Sequence, residues 1–326
     1  MSSYEMIQAA AKRIGSKAIR TPLLSSPFLD EIAERKVYVK AECLQHTGSF
    51  KFRGGWSAVS AIPEADRKCG VIAFSSGNHA QGVSFAAKEH GIPAVIIMPS
   101  DAPKIKIENT KAFGAEVVLF DRFNDDRLEI ANKANAGRNM TLIQPFDNNE
   151  VIAGQGTVGL EIAEQANDAN IDAADVLVCC GGGGLTSGIA LALERDAPSY
   201  TMRTCEPAGF DDVARSLVAG EIKQNAPATS ICDAILTPQP GDITFPIMKR
   251  LCGTGHVVTE DECLHAMALA FERLKIVIEP GGAAALAAAL FHSKDSDNDT
   301  MIAVATGGNV DAAIFQMALD KYGSKA

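Results

Sequence analysis

DVLVCCGGGGLTSGIA, residues 175–190, carries the reading that decides the fold class. A short apolar run of strand character ends in four glycines, Gly181 to Gly184, and a helix-forming stretch follows at once. Glycines let the backbone approach an anion closely and leave its amides free to donate. The positive end of the helix dipole adds to the attraction. The motif therefore reads as a phosphate cradle on a strand–loop–helix unit. It lacks the Gly-Lys-Ser/Thr of a Walker loop. Gly181, Gly183 and Gly188 only loosely imitate the dinucleotide fingerprint, and no acidic residue is placed suitably after them. The alternative is a tightly packed strand–helix turn.

The same alternation extends outward in both directions. KVYVKAE (36–42), GVIAFSS (70–76), AVIIMP (94–99), EVVLFD (116–121), TLIQPF (141–146), YTMRTCEP (200–207), HVVTEDE (256–262) and MIAVATGG (301–308) read as strands or strand ends. QGVSFAAKEHG, IKIENTKAFGA, DRLEIANKANA and LTSGIALALERDA read as helices, and VIAGQGTVGLEIAEQA (151–166) starts loosely and becomes one. Such a rhythm predicts an α/β fold of parallel sheets covered by helices. At 326 residues, two lobes are expected. We read residues 70–147 as a small domain and residues 1–69 with 148–326 as a large one, with a cofactor cleft between them.

Composition excludes several classes. Hydrophobic residues are 47% and charged residues 21%, as in a globular chain. A net charge of −10 without a basic run argues against nucleic acid. The N-terminal MSSYEMIQAAAKRIGS has no apolar signal region, and no stretch has the length and character of a membrane span. GGAAALAAALF (281–291) reads as a buried helix. Eight cysteines without a C-x-x-C pair weaken a zinc or redox reading and fit free thiols in a reducing cytoplasm.

Three further constellations carry chemistry. GSFKFRGG (48–55) sets Lys51 among small and aromatic residues. A partly apolar pocket there would lower its pKa and suit it to imine formation; alone, it could be an ordinary surface lysine. FSSGNHAQG (74–82) gathers Ser75, Ser76 and Asn78 at a helix start, a place that binds a carboxylate or simply caps the helix. His79 beside them reads as structural or catalytic. VATGGNVD (304–311) puts Thr306 at a strand end, where a neutral hydroxyl could face a ring nitrogen or merely belong to a turn.

In order and spacing, AECLQHTGSFKFRGG, SSGNHAQG, VIAGQGTVGLEI, GGGGL, IEPGGAAALAA and TGGNVD together resemble the fold-type II pyridoxal-phosphate (PLP) enzymes, and most closely the serine/threonine dehydratase and serine racemase group. The resemblance spans nearly the whole chain. It implies two parallel-sheet lobes with helices on both faces, like the tryptophan synthase β chain. It implies that Lys51 carries the cofactor covalently and acts at the substrate α-carbon, and that Phe50 packs on the pyridine ring. Asn78 would bond the ring hydroxyl, Gly181, Gly182, Gly183, Gly184 and Leu185 would hold the phosphate, and Thr306 would face the ring nitrogen. Ser75, Ser76, Asn78 and His79 would hold the substrate carboxylate. In racemase-like members a serine at the position of Ser76 lies on the cofactor face opposite the lysine.

The resemblance also implies Mg²⁺ or Ca²⁺ on Glu206, Asp212 and the carbonyl of Phe210 in CEPAGFDD; a solvated acidic loop is the alternative. Departures concern substrate. CDAILTPQPGD replaces a Gly-Val-Lys-Ser stretch, with Thr237 at the serine position. Arg127 falls where racemase relatives carry an arginine near dicarboxylates, so it either clamps a second carboxylate or is an exposed helix residue. The expected activity is elimination from serine, threonine or 3-hydroxyaspartate to a 2-oxo acid and ammonia, with amino-acid racemisation as the alternative. The expected assembly is a homodimer acting on small amino acids.

Overall fold

A computed structural model describes residues 2–121, 124–296 and 298–324. Its ten strands are β1 (Leu23–Ser25), β2 (Lys36–Lys40), β3 (Val71–Phe74), β4 (Ala94–Pro99), β5 (Glu116–Phe120), β6 (Thr141–Leu142), β7 (Asp175–Cys179), β8 (Thr201–Pro207), β9 (His256–Val258) and β10 (Thr300–Val304). They form two sheets. One has the order β1-β2-β10-β7-β8-β9, the other β5-β4-β3-β6. All pairings are parallel except β1 with β2. The βαβ reading of the sequence is thus the observed architecture.

The larger sheet carries the Ala-rich helix Pro280–Phe291, buried from residue 280 to 290. Small side chains let that helix lie close against β7, β8 and β10. No described helix is long and apolar enough to cross a membrane. TLIQPF forms only the two-residue strand β6. The Ile143 amide still bonds Ile72 O at 2.9 Å, and the carbonyls of Ile143 and Pro145 then meet His79 and Lys51.

VIAGQGTVGLEIAEQA differs from expectation in one respect. The helix there starts early, at Asn149, capped by the Asn148 side chain, and runs unbroken to Asp168. Its glycines do not loosen it. They form the surface against which two other helices press. A Cβ on Gly154 would overlap the carbonyl oxygen of Arg53, in the helix Lys51–Ser60. A Cβ on Gly188, in the helix Gly184–Asp196, would stand 2.5 Å from Ile152 O. Three helices therefore meet backbone to backbone. Two of them begin with the residues of interest, Lys51 and Gly184.

A buried ionic network fixes the first of these helices. Arg53, 1% exposed, pairs with Glu42 and with Glu161, and Lys40 joins Glu161 at 2.5 Å. The two cations and two carboxylates compensate one another, the condition under which buried charge is tolerated.

The glycine contacts give a stability prediction. Gly154→Ala gains about 1 kcal/mol of helix propensity but forces a methyl into a backbone carbonyl. Urea unfolding should show a net loss of about 1–3 kcal/mol; unchanged or increased stability would contradict the close-packing account.

Candidate active site

Parallel strands present their C-terminal ends to one side, and loops there form the usual ligand crevice of open α/β sheets. β7 ends in the glycine loop. Two residues beyond the end of its neighbour β10 stands Thr306, 4% exposed, which lies beside the Cys179 thiol. β3, in the smaller sheet, is followed at once by Ser75 and Ser76.

The glycine loop is a row of free donors. Among the described residues, the amides of Gly181, Gly182, Gly183, Gly184 and Leu185 have no protein acceptor. Gly183 has φ of 89°, a left-handed conformation that favours glycine. A Cβ on Gly182 would overlap the Phe146 ring, and one on Gly181 would lie 3.4 Å from Thr237 Cγ2. Thr244 Oγ1 donates to Gly182 O at 2.6 Å and anchors the loop from outside. Free amides at a helix start are suited to a phosphate, so the cradle fits an anionic group.

Lys51 opens its helix, half-buried, with Nζ donating to Pro145 O at 2.6 Å and 5.1 Å from the centre of the Phe50 ring. Phe146, the next residue after that acceptor, packs on Gly182, so the amine and the loop adjoin one short segment. Desolvation lowers the Lys51 pKa to about 8. Phe50 is tied by its amide to Thr306 O at 3.1 Å.

The segment after β3 is a second set of donors. Ser75 Oγ accepts from the Gly77 amide at 3.0 Å, while the amides of Ser76, Asn78 and His79 have no acceptor among the described residues. Ser76 is half-buried. His79 is buried, and burial, then the nearby Lys51 charge, pushes its pKa down to about 3. A neutral ring facing the Ile143 carbonyl at 3.0 Å must donate through Nε2. That leaves Nδ1 a buried acceptor without a partner among the described residues. Asn78 engages both ends of its amide, with Glu279 and Asn309.

Glu206 and Asp212 are buried together at the end of β8. Both Glu206 oxygens accept amides, from Val213 at 2.8 Å and Ala214 at 2.7 Å. Burial, then Asp212, pushes the Glu206 pKa well up, and burial raises Asp212 to about 6. Asp212 Oδ1 accepts from Asn225 Nδ2, while its Oδ2 is buried with no partner among the described residues. Asn225 Nδ2 also donates to Thr237 O at 3.0 Å, linking this pair to the glycine loop. Among the described residues no three His, Cys, Asp or Glu side chains gather as a metal cluster. The expected set has only two such side chains, with the Phe210 carbonyl as third donor. Two carboxylates and an orphaned oxygen fit a hard divalent cation.

Thus Lys51, Asn78 and His79 at helix starts, and Phe50, Ser75, Ser76, the glycines, Thr237 and Thr306 beside them, lie on segments joined by the contacts Lys51–Pro145, Phe146–Gly182, Gly181–Thr237, Phe50–Thr306 and Asn78–Gly307. Arg127 begins the helix Arg127–Asn135, but its side chain lies outside the described residues. All eight cysteines are free. Sequence reasoning misses Pro145, Phe146, Glu279, Asn309 and Lys106. The first two read as strand; Glu279 and Asn309 sit inside IEPGG and TGGNVD, where the glycines draw the attention.

Comparison with known proteins identifies the family. Residues 15–307 match the family described as pyridoxal-phosphate dependent enzyme. The chain is 39% identical to an L-threo-3-hydroxyaspartate ammonia-lyase of Pseudomonas sp, over 99% of this chain and 98% of that one. Maize serine racemase superposes with a TM-score of 0.90 at 36% identity, covering 98% of each chain. A threonine deaminase of T.th. superposes with a TM-score of 0.89 at 41% identity, covering 95% of this chain and 99% of that one.

The desolvated amine gives a pH prediction. Only a neutral amine attacks an aldehyde, so if Lys51 is the residue that takes up PLP, uptake by cofactor-free protein should accelerate with rising pH around a midpoint near 8. Stopped-flow absorbance across the neutral and alkaline range checks this. A midpoint near the ordinary lysine value of 10.5 would contradict the buried-amine geometry.

Proposed function

The chain belongs to the pyridoxal-phosphate dependent enzymes, and on that premise we propose that it eliminates water from a β-hydroxy amino acid, giving a 2-oxo acid and ammonia. The observation that carries this reading is the desolvated Lys51 amine beside a loop of free amides. Bound PLP supplies an electron-withdrawing ring that stabilises negative charge at the substrate α-carbon. The residues that would hold it are Lys51 covalently, Phe50 against the ring, Asn78 at the ring hydroxyl, Thr306 at the ring nitrogen, and Gly181 to Leu185 at the phosphate.

The chain's own groups divide the remaining work. The free amides of Ser76, Asn78 and His79 and the Ser75 hydroxyl would hold the substrate carboxylate, as a helix start does for any anion. Neutral Lys51 would take the α-proton, its pKa near 8 making it a usable base close to neutrality. The unpartnered Nδ1 of His79 would accept from a substrate N–H or O–H. The Thr237 hydroxyl, buried without a partner among the described residues, would line the same space. The β-hydroxyl would leave as water with the proton returned by Lys51, and the remaining enamine would take up water to give the 2-oxo acid and ammonia.

Serine, threonine and 3-hydroxyaspartate are the proposed substrates, in line with a relative named for L-threo-3-hydroxyaspartate and another for threonine. Arg127 would clamp the second carboxylate of 3-hydroxyaspartate. Ser76 supports racemisation as a second reading, since it would supply a proton-carrying hydroxyl opposite Lys51; a relative named serine racemase matches at 38% identity. Mg²⁺ or Ca²⁺ on Glu206, Asp212 and the Phe210 carbonyl would compensate the buried acidic pair. A homodimer is supported by exposed apolar side chains, Phe28 at 54%, Phe271 at 41% and Met317 at 48%. Eight free thiols support a cytoplasmic setting. The two separate sheets support a small domain over 70–147 and a large one over 1–69 with 148–326.

Two experiments test these assignments. With both enantiomers of serine, threonine and the 3-hydroxyaspartates, the enzyme should release oxo acid. Lys51→Ala should lose both the visible cofactor band and turnover, Ser76→Ala should reduce inverted product more than oxo acid, and Arg127→Leu should raise KM for 3-hydroxyaspartate alone. Turnover by Lys51→Ala would reject the mechanism. Chelator treatment should lower Tm, and Mg²⁺ should restore it, with about 2.7 kcal/mol of stabilisation at a hundredfold excess over Kd. Asp212→Asn should abolish that response; a wild-type response would reject the metal assignment.

A further inference from the structure

The groups around Asn78 form one continuous polar chain that crosses between the sheets. Asn309 Nδ2 donates to Asn78 Oδ1 and to Thr47 O, 2.8 Å in each case. Asn78 Nδ2 donates to Glu279 Oε1. Glu279 Oε2 accepts from Lys106 Nζ at 3.1 Å, and the same ammonium donates to Asp233 Oδ2 at 2.7 Å. Lys106 and Glu279 are each 1% exposed. Lys106 belongs to the helix Lys104–Ala112 between β4 and β5 of the smaller sheet. Glu279 precedes the buried helix on the larger one.

Room for this contact is built into the substrate-loop segment. A Cβ on Gly77 would overlap Lys106 Cδ, so the lysine stem runs directly under the loop between Ser76 and Asn78. A second tight spot lies at the far side of Glu279, where a Cβ on Gly307 would overlap Oε1. The carboxylate is thus confined between the loop after β10 and the ammonium.

The donors and acceptors fix one orientation. An amide nitrogen only donates, so Asn309 requires Asn78 to present its oxygen on that side. An ionised carboxylate only accepts, so Glu279 requires the Asn78 nitrogen on the other. A buried carboxylate stays ionised only with a counter-charge, and Lys106 is in direct contact with it. Without the ammonium, Glu279 would take a proton and could donate as well as accept, and only Asn309 would still hold the Asn78 amide in its sense.

We propose that Lys106 is a positioning residue for cofactor binding, which holds the Asn78 amide in one orientation through Glu279 and so ties the cofactor's ring contact to the ion pair between the smaller sheet's helix and the larger sheet. This rests on PLP binding at Asn78 as proposed above. Lys106 touches neither cofactor nor substrate in this account.

The test uses Lys106→Met, Lys106→Arg and the double variant Lys106→Met with Glu279→Gln, each measured for PLP dissociation constant, absorption maximum of the bound cofactor and thermal unfolding. Lys106→Met should weaken PLP binding about tenfold or more, the scale of a hydrogen bond to a charged group, and shift the absorption maximum. Lys106→Arg should recover most of both. The double variant removes the buried charge, so it should fold even where Lys106→Met does not. It should still bind weakly and show the shifted band, because the neutral amide replacing the carboxylate can present either end to Asn78. Wild-type affinity and spectrum in the double variant, or in folded Lys106→Met, overturn this inference while leaving the PLP assignment intact. If the wild-type protein takes up no PLP at all, the functional reading falls first and this inference with it.

Discussion

Backbone contact among three helices is the constraint on which the site depends. The helix Asn149–Asp168 meets the helix Lys51–Ser60 at Gly154 and the helix Gly184–Asp196 opposite Gly188. Each contact leaves no room for a methyl group. As a result the starts of two helices, one bearing an amine and the other bare amides, are held in a fixed relation. Packing at this density resists small displacements, since interiors have few voids to absorb them. The ionic network of Arg53, two residues beyond Lys51, adds a directional restraint to the same helix.

Desolvation then acts on every group nearby, with a sign set by its charge type. It makes Lys51 a weaker base and keeps His79 neutral. It raises the carboxyls of Glu206 and Asp212. Where a partner is present, as for Arg53 with Glu42, the charges are retained; Glu279 holds Lys106 charged, while burial still pushes its own carboxyl up. Where none is, the structure leaves an atom without a partner among the described residues, such as Asp212 Oδ2 or His79 Nδ1. Those atoms and the free amides mark the places where an outside group completes the structure.

Much of this is legible in the sequence because local chemistry and tertiary role coincide. An apolar run followed by Gly181–Gly184 can do little other than end a strand and start a helix, and both readings survive. Lys51 and the SSGNH segment stand out by their position after strands. Residues whose role depends on distant partners do not. Phe146 reads as the end of a strand, yet its ring fills the space over Gly182. The glycines of VIAGQGTVG suggest a loose start, although helix propensity there is overridden by close packing against neighbours far along the chain. Lys106 resembles any polar residue of an amphipathic helix; only the fold brings it to Glu279, 173 positions away.

The central claim is that the desolvated amine of Lys51, which has no counter-charge beside it among the described residues, carries the cofactor. Incubating the purified protein with PLP, reducing with borohydride and mapping the modified peptide by mass spectrometry tests it directly. The account predicts one stoichiometric phosphopyridoxyl adduct, on Lys51. Stoichiometric modification of a different lysine, or none at all, would contradict it.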